Sequence, residues 1–280
     1  NSQPESDWLA SVEGVVILGL SAERRQAYAG RLFPCIANMP QAQHLRFVTA
    51  ADGTRIAVAS IGSGPPLVRA AHWLSHVEHD LVSPVWRPWL AALSGHHNYI
   101  RYDQRGCGLS DANVRDFSLD AWVGDLEAVV DGLGLQRFPL LGMSQGGAVA
   151  IAYAVRHPER VSQLVLVGAY ARGALRRATT EGERLESMTL INLVRVGWGR
   201  DNPAFRQVFT NLFIPDGTLQ QHQWWNELER LTVTPDNPAR TLEAFYDIDV
   251  RELAGQVRVP TLVMHSRGDA RVPFDEGRQL

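Results

Sequence analysis

The chain has 280 residues, 45% hydrophobic and 20% charged, with 27 basic against 30 acidic residues and a formal net charge of −3. That is the balance of an ordinary globular protein able to bury a large core, and it argues against nucleic acid as the partner of this segment. All 27 basic residues are Arg and none is Lys, so Schiff-base chemistry, pyridoxal anchoring and a P-loop lysine are excluded.

In chain order, residues 1–43 read as a helical extension, clearest over Ala22–Leu32, with Pro34 and Pro40 as breakers. Its apolar run Val15–Leu20 follows acidic residues, so it has neither the positive flank of a signal peptide nor the length to span a bilayer. The opening Asn1 reads as the start of a segment cut from a longer protein. Cys35 and Cys107 are the only cysteines, which excludes a disulfide scaffold and suits a reducing, cytoplasmic setting.

Leu45–Thr49 and Arg55–Ile61 read as two strands around an Ala51-Asp52-Gly53 turn, and Leu67–Ala71 as a third after the Gly62–Pro66 loop. Alternation follows. A helix over Pro84–Leu93 precedes a strand over Tyr99–Tyr102. A helix over Ser118–Leu133, with apolar Trp122, Leu126, Val129 and Val130, precedes a strand over Phe138–Gly142. A helix over Gln145–His157 precedes a strand over Val161–Val167. This is the pattern of an α/β fold, a mostly parallel sheet covered by helices on both faces. From Tyr170 to Asp249 the strand signal gives way to helices, and Val259–His265 restores a buried strand. The expected organisation is a core over 44–169, a helical cap insertion over 170–249, and the remainder of the core over 250–280.

Gly142-Met143-Ser144-Gln145-Gly146 is a G-x-S-x-G run between a strand and a helix, the setting of a nucleophile elbow. A serine at so sharp a turn is exposed, small neighbours let backbone pass close by, and the helix N-terminus stabilises developing negative charge. Ser144 is the candidate nucleophile.

The sequence resembles the α/β-hydrolase superfamily. Asp103-Gln104-Arg105-Gly106-Cys107-Gly108-Leu109-Ser110 is similar to that family's D-x-R-G-x-G-x-S loop, read here as structural, with Asp103 and Arg105 bracing neighbouring loops. Asp269-Ala270-Arg271-Val272-Pro273 is similar to its acid loop. The resemblance makes Asp269 the triad acid, with Asp275 and Glu276 as rivals and Asp275 expected to cap the next helix. It places the oxyanion hole at the amides of Gln145 and Trp73, where Ala71-His72 replaces the usual His-Gly. It also implies a catalytic histidine after the acid. No histidine follows Asp269, so that residue, the last strand and the final helix are expected beyond Leu280. His265 is expected to be a half-buried structural residue of its strand.

Two further features stand out. His72, His76 and His79, beside Asp80, share a helical spacing that could suggest a metal, although loop packing is the expected explanation; neither a metal nor a cofactor is expected. In the insertion, Trp198, Phe205, Phe209, Phe213, Trp224, Trp225 and Phe245 are expected to form its core and to give a substrate pocket its roof, while Arg172, Arg176 and Arg177 form a solvated cluster or recognise an anion.

Ala71–His76, Arg101–Gly108 and Gly197–Pro203 resemble in particular bacterial α/β-hydrolase domains fused to transcription regulators or nucleotide cyclases. That implies a fused regulatory domain outside this segment. Two readings follow: a serine hydrolase of a small carboxylic ester or lactone, or a hydrolase-like domain that senses such a molecule. No membrane partner is expected, and a homodimer is compatible with the sequence.

Overall fold

The computed structural model describes residues 42–280 except 199, 201, 203 and 233–236, together with the backbone of two short strands nearer the N-terminus. The expected helix over Ala22–Leu32 lies outside the described residues. Within the extension read as helical, Ser11–Val12 (β1) and Val15–Leu18 (β2) are strands instead. β2 pairs antiparallel with the last strand of the core, so an exposed sheet edge overrides the local helical preference of its surroundings.

The other strands fall where hydrophobic runs place them. They are His44–Thr49 (β3), Arg55–Ile61 (β4), Pro66–Arg69 (β5), Asn98–Tyr102 (β6), Phe138–Met143 (β7), Val161–Val167 (β8) and Thr261–Ser266 (β9). The sheet runs β1-β2-β9-β8-β7-β5-β6-β4-β3. The β5–β6, β5–β7, β7–β8 and β8–β9 pairs are parallel, and the β3–β4 hairpin joins antiparallel through β4 to β6. Gly53 supplies the positive φ (88°) that closes the hairpin.

Helices Arg87–Ser94 (α1), Leu119–Gly132 (α2) and Gly146–Arg156 (α3) cover the sheet. α2 starts where Ser118 accepts the Ala121 amide and turns Trp122, Val123, Leu126, Val129 and Val130 inward. α3 is small and apolar all round, and it is buried from Gly146 to Ala154, as a helix at the centre of a core must be.

The insertion contains Ala174–Arg177 (α4), Glu181–Gly197 (α5), Ala204–Phe213 (α6), Leu219–Thr232 (α7) and Asn237–Tyr246 (α8). A Thr180–Glu183 capping box starts α5. The insertion leaves and rejoins the core at one place. An Arg172–Asp249 bridge, the Gly173 amide on Ile248 O (2.8 Å) and the Val250 amide on Ala171 O (2.8 Å) tie its two ends together. Arg251–Ala254 (α9) and Phe274–Gln279 (α10) flank β9. Among the described residues no helix is long and apolar enough to cross a membrane.

Candidate active site

β5 and β7 are hydrogen-bonded neighbours, so the loops leaving their C-terminal ends emerge side by side. In parallel α/β sheets that is where ligands bind. The β7 loop carries Ser144. Its φ of 49° is left-handed, a strained state for a residue with a side chain, and the turn is pinned by the Ser144 amide on Val167 O at 2.9 Å. Ser144 is half-buried, and its hydroxyl makes no hydrogen bond among the described residues.

The glycines around it are sterically obligatory. A Cβ on Gly142 would lie 2.7 Å from Gly147 Cα, one on Gly146 would lie 2.8 Å from Ala71 O, and one on Gly147 would collide with Ala169 Cβ. The β7–α3 turn therefore nests against both the β5 loop and the end of β8.

The β5 loop brings up Trp73. Neither the Trp73 nor the Gln145 amide donates a hydrogen bond among the described residues, and both residues are buried. Among the described residues Leu74 is the only other non-glycine residue with positive φ (57°). His72, in the usual glycine position, is turned inward: its Nδ1 lies 2.9 Å from Trp73 O, and its ring packs on Trp86. Burial, aided by the Arg69 charge, lowers its pKa to about 3 and keeps the ring neutral, so Nδ1–H donates. Ala71, not His72, makes the close backbone approach to the elbow.

This loop is held from below by the loop after β6. Asp103 accepts the Val77 amide (2.9 Å) and the Leu109 amide (2.9 Å), and the Gln104 amide donates to Ser75 Oγ (2.9 Å). Arg105 forks onto Asp125 (2.8 and 2.7 Å) and reaches Asp52 (2.7 Å). Burial drives Asp103 up to about 7 and Asp125 up to about 6. A network the sequence did not reveal lies beside them: buried Arg101 donates to Asp80 (2.9 Å) and to Val77 O (2.8 Å).

Asp269 follows β9. Its Oδ1 accepts the Arg271 and Val272 amides, both at 2.8 Å. Its Oδ2 is left facing Gly168, where a Cβ would stand 3.4 Å away. Gly168 directly follows Val167, whose carbonyl anchors Ser144, so serine and carboxylate leave the strands on either side of β8 and flank its C-terminal end. Of its rivals, Asp275 is exposed in the first turn of α10, paired with Arg278, and does not cap the helix. Glu276 is buried against Arg172.

All nine histidines lie among the described residues, and none meets Ser144. His265 is fully buried rather than half-buried. Its Nε2 bonds Val272 O (2.9 Å) and stands 3.8 Å from Asp269 Oδ2. His157 sits at the end of α3 beside Glu127. His72, His76 and His79 do not converge: His79 stacks on Trp224, and no metal-holding group of three His, Cys, Asp or Glu side chains occurs among the described residues. From the insertion, Trp198 and Phe245 pack edge-on against Trp73 at 5.7 and 5.5 Å between centroids. Two of the aromatics expected in the roof thus pack on the Trp73 ring, while Phe213, Trp224 and Trp225 pack with one another.

Residues 80–221 match the family model for the alpha/beta hydrolase fold. The chain is 32% identical to the pimeloyl-[acyl-carrier protein] methyl ester esterase of Nitrosomonas europaea, over 78% of this chain and 82% of that protein. It is 27% identical to the 2-hydroxy-6-oxo-2,4-heptadienoate hydrolase of Pseudomonas putida, over 82% and 81%. Among solved structures, the esterase EaEST from Exiguobacterium antarcticum superposes with a TM-score of 0.67 at 27% identity, covering 83% of this chain and 84% of that one. With the elbow, the sheet order and these relatives in agreement, the chain belongs to the α/β-hydrolase family of enzymes.

Proposed function

We propose that the protein is a serine hydrolase of a small carboxylic ester or lactone, acting through an acyl-enzyme at Ser144. The observation that carries this reading is the unpartnered Ser144 hydroxyl on a left-handed turn, beside two unclaimed amides. In this reading Ser144 gives its proton to the base that Asp269 orients, its Oγ bonds the carbonyl carbon, the amides of Gln145 and Trp73 hold the oxyanion, and the ester C–O bond breaks as the alcohol oxygen takes that proton. Water then cleaves the acyl-enzyme and releases the acid. Asp269, with Oδ1 fixed by two amides and Oδ2 accepting no hydrogen bond among the described residues, though 3.8 Å from His265 Nε2, has the form of a carboxylate that orients a base. A methyl ester esterase among the relatives supports the ester class.

A second reading stands beside it: a domain that binds an ester without turning it over, as part of a regulatory protein.

A fluorophosphonate probe with mass-spectrometric mapping tests the first reading. Labelling of Ser144, together with p-nitrophenyl ester hydrolysis that Ser144→Ala abolishes, is the expected result. Labelling elsewhere, or hydrolysis surviving in Ser144→Ala, overturns it. Ester binding with neither label nor turnover supports the sensing reading.

A further inference from the structure

The arginines at the entrance to the insertion differ once their partners are known. Arg176 is exposed and pairs with Asp247 (Nε to Oδ1, 2.8 Å). Arg172 pairs with Glu276 at 2.6 Å. Arg177 meets no carboxylate among the described residues: its guanidinium donates to the carbonyls of Arg271 (3.0 Å) and Arg172 (3.4 Å). Arg271 likewise has none, donating to the Tyr246 hydroxyl at 2.6 Å. Both are partly buried, and both lie over aromatic rings. Arg177 Cζ is 6.0 Å from the Tyr170 centroid, and Arg271 Cζ is 5.7 and 5.8 Å from those of Phe213 and Tyr246.

Two like charges on one half-buried face, with Glu276 near Arg177 but bonded to Arg172, are incompletely balanced until an anion arrives. Burial pushes the Arg177 pKa downward, Tyr170 and Glu276 oppose it, and Arg271 beside it adds to the fall. The place is also specific. The Arg271 amide is one of the two that fix Asp269, and Tyr170 lies two residues beyond Gly168, which faces the same carboxylate. The cationic pair therefore edges the ends of β8 and β9, beside Asp269. A guanidinium presents a planar fork that matches a carboxylate with two parallel bonds.

We infer that Arg177 and Arg271 form an anion subsite for a carboxylate on the acid portion of the substrate, so that the favoured substrate is the half-ester of a dicarboxylic acid or a lactone bearing a carboxylate. This rests on the hydrolase reading for the position of the ester, but its test does not need turnover. Calorimetric titration of the 280-residue Ser144→Ala chain with monomethyl glutarate, and separately with dimethyl glutarate, reads the subsite directly. The anionic ester is expected to bind about tenfold tighter or better, as a charge-assisted fork should give. Arg177→Gln and Arg271→Gln each remove that preference, Arg271→Lys keeps only part of it, and Arg176→Gln leaves it intact. Equal affinity for the two esters, no binding of either, or a preference surviving in the Arg177→Gln/Arg271→Gln double variant overturns the inference. Circular-dichroism melts confirm that each variant is folded. Failure of the hydrolase reading shows separately, as an unlabelled Ser144 in the intact protein, read independently of the titration.

Discussion

Among the described residues Ser144 and Leu74 are the two non-glycine residues held at positive φ, and they sit on facing loops at the ends of adjacent strands. Such backbone costs on the order of 1–3 kcal/mol per residue and persists only where the surroundings over-determine it. Here the surroundings are backbone. Gly146 and Gly147 let Ala71 O and Ala169 approach to distances no side chain would permit, so the strain is imposed by packing. Gly147→Ala should therefore cost about 1–3 kcal/mol, as overpacking does, because the atoms it strikes belong to another strand end and cannot rotate away. Urea denaturation measures the loss, and fluorophosphonate labelling of the folded fraction should fall with it. An unchanged midpoint would show that the elbow has slack.

Single side chains also join whole elements. The loop after β6 is fastened to α2 by Arg105, whose fork on Asp125 is buried at both ends, with side-chain exposures of 2% and 1%. Burying such a pair costs nearly what it returns, but removing one partner strands the other charge. Arg105→Met should lower stability by about 3–5 kcal/mol. The double variant Arg105→Met/Asp125→Leu should recover most of that, which thermal unfolding of the pair resolves. Since Asp103 and Gln104 on this loop hold Val77 and Ser75, the single variant should also loosen the Trp73 loop and reduce labelling at Ser144.

Across the whole molecule, several buried acids titrate far from their usual range. Glu229, on α7, is fully buried with no hydrogen-bond partner of good geometry. Burial pushes its pKa to about 9, which Arg206 and Trp225 nearby only partly offset. The sign follows from linkage. Between the usual carboxylate value and about 9 the unfolded chain has lost this proton while the folded chain keeps it, so folding takes up a proton and stability falls as pH rises. Each such group contributes at most about 1.4 kcal/mol per pH unit. Asp103 and Asp125 act in the same direction up to about 7 and 6. His72 opposes them between about 3 and 6.5, where only the unfolded ring is protonated. The melting temperature should therefore fall from pH 7 to 9. Glu229→Gln, which keeps the shape and removes the proton, should flatten that slope; an equally steep slope in the variant would assign it elsewhere.

The sequence by itself determined the sheet strands from β3 to β9, the helices between them and the elbow. Each of these is written in contiguous residues: a run of β-branched side chains, a Ser118 cap, a serine set between glycines. Asp269 was singled out by the resemblance of Asp269–Pro273 to the family's acid loop, and the two amides on its Oδ1 lie two and three residues along. What only the tertiary structure decided joins residues far apart in the chain. The segment around Val15–Leu18 read as helix, but a free β9 edge made it a strand. Arg172, Arg176 and Arg177 looked alike until Glu276 and Asp247 claimed two of them and Arg271 came to lie beside the third. Counter-ions and open sheet edges are properties of the assembled fold, because the partner that satisfies a charge or a strand is chosen by packing and not by sequence distance.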